Sequence, residues 1–454
     1  MTLTRAVEEA MQSSRQAAVD VSRHATGSST EESAVRLPGL VPGSLTTLSP
    51  HESSSRSTLP DRWIARLLLS LVKDLPIEIE LWDGQVFSAS GESCCQRITI
   101  HTRSALWGLL VSPSLEFGDG YSRNEITISG DLVRFCECME LASRRAPRWF
   151  DNSVWRWLHW LTPNTRSNSK RRIHRHYDLG NDFFKLWLDE TMAYTCAYFS
   201  EPGLDLTAAQ RAKYDHVARK LRLKPGDHVV EAGCGWGGLA LHLAGNYDVS
   251  VTAYNISHEQ VVYAREQALA EGLSHRVTFM EDDWRSIDGR FDAFVSVGML
   301  EHVGPENYRK LGRVIQRSLK PQGLALLHTI GRNIAKPVDR WTEKRIFPGS
   351  CPPSLRQMMD IFEAGEFSIL DVENLRLHYA RTLEFWRDNF ELHADDVERM
   401  LDGDFVRMWR LYLNGSIAAF RMGGLQLFQV VFTHGQNHAV PLTRADLYAE
   451  PAHV

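Results

Sequence analysis

The chain has 454 residues, of which 43% are apolar, 24% charged and 10% aromatic, an ordinary globular composition that excludes a wholly disordered, collagenous or disulfide-scaffold protein. Its 51 Lys and Arg against 56 Asp and Glu leave a net charge of −5, so no overall basic character points to nucleic acid. Seven cysteines show no C-x-x-C spacing, which argues against a structural zinc site and for free thiols in a reducing cytosol, with no metal expected.

The start, MTLTRAVEEAMQSS, carries acids early and lacks the apolar core of a secretory signal. No apolar run approaches the roughly 20 residues of a membrane span, so a cytoplasmic protein, soluble or peripheral at a membrane, is expected. Residues 1–58 read as a flexible leader, rich in Ser, Thr, Pro and Gly from Gly27 to Ser57. Residues 59–145 read as a small α+β domain. It opens on the apolar stretch WIARLLLSLV and continues with the alternation IEIELWDGQVF, where Asp83-Gly84 signals a hairpin turn. ITIHT, SLEFG and EITISG are expected to add short strands, and the domain carries no catalytic constellation.

Residues 146–175 form a basic linker. Between Ser143 and Arg175 nine Lys and Arg face one acid, Asp151, and Trp149, Phe150, Trp155, Trp157 and Trp160 are interleaved among them. A helical period places Val154, Trp157, Leu158 and Leu161 on one face with Arg156 and His159 opposite. Indoles beside arginines suit a lipid headgroup boundary; packing of the aromatics on the next domain is the equal alternative.

From Thr207 helix and strand alternate. TAAQ reads as a capping box opening a helix with Tyr214, Val217, Ala218 and Leu221 on one face, and SHEQ as a second. Strands HVVEAG, VSVTAYN, RVTFME, FDAFVSVGML, LALLHTIG, FSILDVENL and QLFQVVF, with helices between them, predict a doubly wound, mostly parallel Rossmann-like sheet over residues 176–440, followed by a tail, 441–454. Such sheets bind ligands at the carboxyl ends of their strands.

Glu231 to Gly238, EAGCGWGG, joins a strand to a helix, and its glycines let backbone approach a ligand at the helix N-terminus. Gly233, Gly235 and Gly238 also satisfy G-x-G-x-x-G. A NAD site wants an acid about 20 residues on, yet the next strand ends at Tyr254-Asn255 with no carboxylate. Glu231 and the later Asp282-Asp283-Trp284 suit S-adenosylmethionine (SAM) instead.

EAGCGWGG, NISHEQ, EDDWR, FDAFVSVGMLEHVGPENY, LHTIG and HYARTLEFW, with HYDLGNDFFKLWLDETMAYTCAYF upstream, together resemble the cyclopropane-fatty-acyl-phospholipid synthases and their mycolic acid relatives from about His174 to Gly435. FGDGY and ISGDL resemble the amino-terminal domain of the longer bacterial members, which that family uses for dimerisation, so a homodimer is implied. The resemblance implies methyl transfer from SAM to a cis double bond of an unsaturated phospholipid acyl chain at a membrane surface, then loss of a proton and closure of a cyclopropane ring. It also implies a bound bicarbonate as base, cradled by Cys196, Glu301, His328, Ile330 and Tyr379, with Cys196 and Ile330 offering backbone groups. A carboxylate beside an anion repels it unless a proton is shared, so Glu301 or His328 is expected to have a shifted pKa.

SAM is expected on Tyr194, Thr195, Glu231, Gly233, Cys234, Gly235, Trp236, Gly237, Asn255, Gln260, Asp283, Trp284 and Val297. Tyr194, Tyr198, Phe199, Trp236 and Trp284 are candidate aromatic faces for a carbocation. Many relatives place a cysteine where this chain has Ser416; a serine with no adjacent base is a poor nucleophile, and no covalent step is assigned. Two rivals stand beside this reading: a SAM-dependent C-methyltransferase giving methylene or methyl-branched chains, and a non-enzymatic lipid-binding protein built on the Trp/Arg segment.

Overall fold

The computed structural model describes residues 56–72, 75–88, 96–145 and 179–447. The leader apart from its last three residues, the amphipathic face at Val154 to Leu161 and the last part of the tail lie outside them.

The small module comprises α1 (Leu59–Leu71), β1 (Ile77–Leu81), β2 (Val86–Ser88), β3 (Gln96–Ile100), α2 (Arg103–Val111), α3 (Pro113–Ser122), β4 (Ile126–Ser129) and α4 (Leu132–Arg145). Its strands run in the order β2-β1-β3-β4, with β1 and β3 parallel and the other pairs antiparallel. The hairpin forms at Asp83-Gly84, where Gly84 takes φ +79°. SLEFG is not a strand. It lies in α3, which starts with Pro113 in its first turn, and its glycine serves contact rather than a bend: a Cβ on Gly118 would sit 2.3 Å from the indole of Trp341. That close approach docks the module on the larger one. Arg345 clamps Asp119 at 2.6 and 2.9 Å, and Arg407 donates to the Ser122 carbonyl at 2.6 Å.

The larger module opens with α5 (Asn181–Lys185) and continues as α6 (Leu206–Leu221), β5 (His228–Ala232), α7 (Gly238–Asn246), β6 (Ser250–Asn255), α8 (His258–Ala270), β7 (Val277–Glu281), β8 (Phe291–Val297), α9 (Tyr308–Ser318), β9 (Leu319–Gly331), α10 (Leu355–Ala364), β10 (Phe367–Asn374), α11 (Arg376–Leu392), α12 (Ala394–Met400), α13 (Gly403–Arg421) and β11 (Gln426–His434). The sheet order is β10-β11-β9-β8-β5-β6-β7. The run from β9 to β7 is parallel and β11 is antiparallel to both its neighbours. Central strands read as nearly continuous apolar runs because helices cover both faces.

Neither expected capping box is made. α6 starts two residues earlier than TAAQ suggests, because Asp205 is its N-cap and accepts from the Ala208 amide at 2.8 Å. Ser257 does precede α8, but its side chain makes no cap bond. The helices α11 and α13 pack together and build an aromatic wall, with Trp187, Trp386 and Trp409 buried between them and α5.

Candidate active site

The glycine loop leaves β5 where the strand order turns back, between β6 and β8, so the sheet opens a crevice at its carboxyl edge. The Gly233 and Cys234 amides donate to the Tyr254 carbonyl at 2.8 and 3.2 Å, tying the loop to β6. Gly235 has φ +55°, and a Cβ there would meet nothing within 4 Å; it faces open cavity, whereas Gly233 and Gly237 are closed off by Met299 and by Phe279 with Ala264. Asn255 donates to the Gly235 carbonyl at 3.1 Å and to Gln260 Oε1 at 2.8 Å, so an amide at the tip of β6, paired with one from α8, stands in place of an acid. Asp283 accepts from the Arg285 backbone at 2.9 Å and its guanidinium at 2.8 Å, and that guanidinium lies 4.5 Å over the Trp284 ring.

Glu231 ends β5 with Oε2 buried and unbonded among the described residues. Burial pushes its carboxyl up and pushes the neighbouring Lys213 ammonium down, each partly offsetting the other. Lys213 Nζ donates to Thr195 Oγ1 at 2.9 Å, and Gln210 donates to the Thr195 carbonyl at 2.8 Å, which fixes the strand-like segment carrying Tyr194 to Cys196. The Tyr194 hydroxyl lies 2.8 Å from that of Tyr412, and Trp236 donates to Asn181 Oδ1 at 2.8 Å.

On the other side of the crevice Glu301 sits 5% exposed on a short turn after β8. Its Oε1 accepts from the Ile330 amide at 2.6 Å, while Oε2 is buried without a partner among the described residues. Burial pushes its carboxyl up to about 7, against hydrogen bonds from its own backbone, Ile330 and Thr329. The Ile330 backbone adjoins Glu301: its amide donates to Glu301 and its carbonyl accepts from Thr329 Oγ1 at 3.0 Å. His328, on β9, accepts or donates at Nδ1 with Gln429 at 3.0 Å and leaves Nε2 buried and unbonded among the described residues. Cys196 is fully buried, its thiol pointed at the Ala197 carbonyl at 3.2 Å and pushed toward the protonated form by burial. Tyr379 packs edge-on to Trp386, with ring centres 5.9 Å apart.

One cavity of about 1610 Å³ joins these groups. Tyr194, Thr195, Glu231, Gly233, Cys234, Gly235, Trp236, Asn255, Gln260, Asp283, Trp284, Val297, Glu301, Ile330 and Tyr379 line it. Gly237, Cys196 and His328 are not among the residues that line it. Tyr198 and Phe199 do not line it; Tyr198 stacks on His216, ring centres 4.1 Å apart. Ser416 does line it. The cavity runs on past Phe347, Tyr412 and Trp341 into the small module, between Ile77, Ile98, Phe117, Phe135 and Met139. Sequence reasoning missed that extension, since the apolar strands of a small domain look like ordinary core. It also missed the inward polar row of α6, Gln210, Lys213, His216 and Lys220, although a spacing of three to four residues is a signal of one helical face.

The model of the mycolic acid cyclopropane synthetase family matches residues 164–430, and a second, described as a domain of unknown function, matches residues 64–146. The chain is 36% identical to a probable fatty acid methyltransferase of Pseudomonas putida over 82% of its own length and 96% of the relative's. It is 44% identical to the cyclopropane-fatty-acyl-phospholipid synthase of Escherichia coli K12 over 59% of its length and 69% of that enzyme's. A third relative, the tuberculostearic acid methyltransferase of Mycobacterium tuberculosis, is 33% identical over 80% and 89%. Among solved structures, the cyclopropane synthase MmaA2 from Mycobacterium tuberculosis superposes with a TM-score of 0.55 at 28% identity, covering 58% of this chain and 97% of its own. The mycolic acid cyclopropane synthase CmaA1 complexed with SAH and CTAB gives 0.55 at 29%, with the same coverage. The glycine loop at the strand-order reversal, the amide pair of Asn255 and Gln260 beyond β6 and this extent of likeness place the chain in the mycolic acid cyclopropane synthetase family of SAM-dependent methyltransferases that modify lipid acyl chains.

Proposed function

We propose that the protein is a cyclopropane-fatty-acyl-phospholipid synthase, converting a cis double bond of an unsaturated phospholipid acyl chain into a cyclopropane ring. One observation carries the reading: a single cavity of about 1610 Å³ is lined both by the glycine loop and Glu301 and by apolar side chains of the small module, which together offer a site for SAM and an acyl chain.

SAM supplies the methyl group as an electrophile. The loop from Gly233 to Trp236 and the Asn255–Gln260 pair would hold it, since Gly235 opens on the cavity and the two amides, one ending β6 and one on α8, suit ribose hydroxyls. An alkene is a feeble nucleophile, so the chain's task is alignment: the aromatic wall of Tyr194, Trp236, Phe347 and Tyr412 excludes water and fixes the acyl chain in line. Their π faces, with that of Trp284, tolerate the positive charge left on the lipid after transfer.

Bicarbonate supplies a base of suitable strength at neutral pH. Glu301 and His328 fit it through two buried polar atoms that no described residue satisfies, and Tyr379 stands on the same cavity wall. With its carboxyl pushed up to about 7, Glu301 can present a proton to an anion rather than repel it. Cys196 sits deeper, linked to this edge through the Leu375 carbonyl, which accepts from its thiol at 3.9 Å and from the Tyr379 amide at 3.1 Å.

Turnover of unsaturated phospholipid vesicles in carbonate-depleted buffer tests the reading: activity should fall and return with added bicarbonate, and Glu301→Gln should lower turnover more than SAM affinity. Equal loss of both would make Glu301 structural. The second reading, a methyltransferase giving methylene or methyl-branched chains, draws support from the two fatty acid methyltransferases that align over 80% or more of the chain. Among the described residues no helix is long and apolar enough to cross a membrane, so we further propose that the enzyme, as a homodimer, docks peripherally on the cytoplasmic face of the inner membrane.

A further inference from the structure

A chain of buried side chains leads to His328 from α6, whose Lys213 also lines the cavity. α6 turns Lys213, His216 and Lys220 inward, each no more than 2% exposed. Lys220 Nζ lies 2.5 Å from Glu373 Oε2 and 2.9 Å from Gln429 Oε1, with Asp371 Oδ2 at 3.6 Å. Gln429 stands directly opposite His328 across the β9–β11 ladder, and its amide nitrogen is 3.0 Å from His328 Nδ1. The other ring nitrogen, Nε2, is buried and unbonded among the described residues.

Lys220 decides the orientation of the whole chain. An ammonium group has donors only, so the Gln429 atom that faces it must be the oxygen. The opposite end of the amide, facing His328, is then the NH2 group, and Nδ1 must accept. A neutral imidazole that accepts at Nδ1 carries its proton on Nε2. We propose that Lys220 and Gln429 are positioning residues that lock His328 in the Nε2–H tautomer, so that its unpartnered edge offers a hydrogen-bond donor to an anion held beside Glu301. This rests on the anion reading of Glu301 and His328 given above.

The surroundings keep the ring uncharged. Burial, with Lys213, Lys220 and His216 facing it from α6, holds the imidazole well below its usual value, opposed by Glu373 of β10. A lone pair at Nε2 would repel an anion; an N–H there binds one, and the amide of Gln429 cannot take the ring's place as acceptor without turning its nitrogen onto Lys220.

The test is nitrogen NMR of full-length protein labelled at histidine with 15N, with the His328 signal identified by its loss in His328→Gln. The expected spectrum shows a protonated Nε2 and a bare Nδ1, unchanged from about pH 6 to 9. A proton on Nδ1, or a ring that titrates in that window, overturns the proposal. In Gln429→Glu a carboxylate faces Nδ1, so the proton should move there or the ring become charged, and kcat on unsaturated phospholipid vesicles should drop about tenfold with SAM affinity kept. A variant whose His328 retains the wild-type spectrum also overturns it. Added bicarbonate reports separately on the underlying reading: the Nε2 signal should shift, and an unmoved signal with the expected tautomer fails the anion site while leaving the relay intact.

Discussion

Replacing Glu301 by Gln removes a carboxyl group that the fold holds in its protonated form. In the unfolded chain this group ionises near 4.5; in the folded protein burial carries it to about 7. The gap of about 2.5 pH units, at roughly 1.4 kcal/mol each, is worth about 3 kcal/mol. The sign follows from which state binds the proton more tightly. Below about pH 4.5 both states are protonated and the fold loses nothing. As pH rises, the unfolded chain releases its proton first, so wild-type stability falls until the folded group also ionises near 7, and the loss is complete above that. Gln does not titrate. The stability of Glu301→Gln relative to wild type should therefore grow by roughly 2–3 kcal/mol between about pH 5 and pH 8. Urea unfolding followed by tryptophan fluorescence, without SAM or bicarbonate and at matched ionic strength, measures this. Glu231, also pushed up by burial, remains in both proteins, so its contribution cancels in the comparison. Parallel pH dependences of the two proteins would mean that Glu301 ionises normally in the fold, and the proton-sharing role argued for it would fail.

Calorimetry should show binding of SAM and none of NAD, because β6 ends in Asn255, bonded to Gln260 of α8, rather than in an acid; binding of NAD without SAM would refute this. Gly235→Val should abolish SAM binding, since its side chain would project into the cavity and its φ of +55° adds about 1–2 kcal/mol of backbone strain; retained affinity would show that no ligand approaches the loop there. Gly118→Ala should destabilise the protein by about 1–3 kcal/mol in urea, as a Cβ would strike the Trp341 indole at 2.3 Å; a neutral result would mean that the small module shifts freely on the larger one. Replacing Lys170, Arg171 and Arg172 by Gln should weaken binding to anionic vesicles by up to about 3 kcal/mol, more at low salt, with SAM affinity kept; unchanged vesicle binding would make the basic segment a linker. Arg144 is better left in place, because it donates to the Met422 carbonyl at 2.5 Å and its loss would also loosen α4 from α13.

The features legible in the sequence are those written in local pattern. The β/α alternation, the glycine loop and the acid-free end of β6 each depend on a few consecutive residues, and the sheet follows from them. SLEFG failed because an isolated glycine between apolar residues reads as strand or turn, whereas Gly118 is small to admit Trp341, more than 200 residues away. TAAQ failed because Asp205, two residues upstream, is the better-placed acceptor. The bond from the Ile330 amide to Glu301 joins residues 29 positions apart and has no local signature in the sequence. The buried Lys213, His216 and Lys220 look in sequence like the solvated face of α6; their burial depends on β9, β10 and β11 being stacked against them. The gallery through the small module is likewise a property of two folded pieces meeting, with Ile98 and Phe135 on one and Phe347 on the other.

The most direct test of the account is the product. Purified protein incubated with SAM, bicarbonate and vesicles of a monounsaturated phospholipid should yield lipids heavier by one methylene unit, whose acyl chains no longer react with ozone, as mass spectrometry reads them before and after ozonolysis. A methylated chain that still reacts with ozone, or one that carries a methyl branch without a ring, would contradict ring closure and assign the protein to the fatty acid methyltransferases instead.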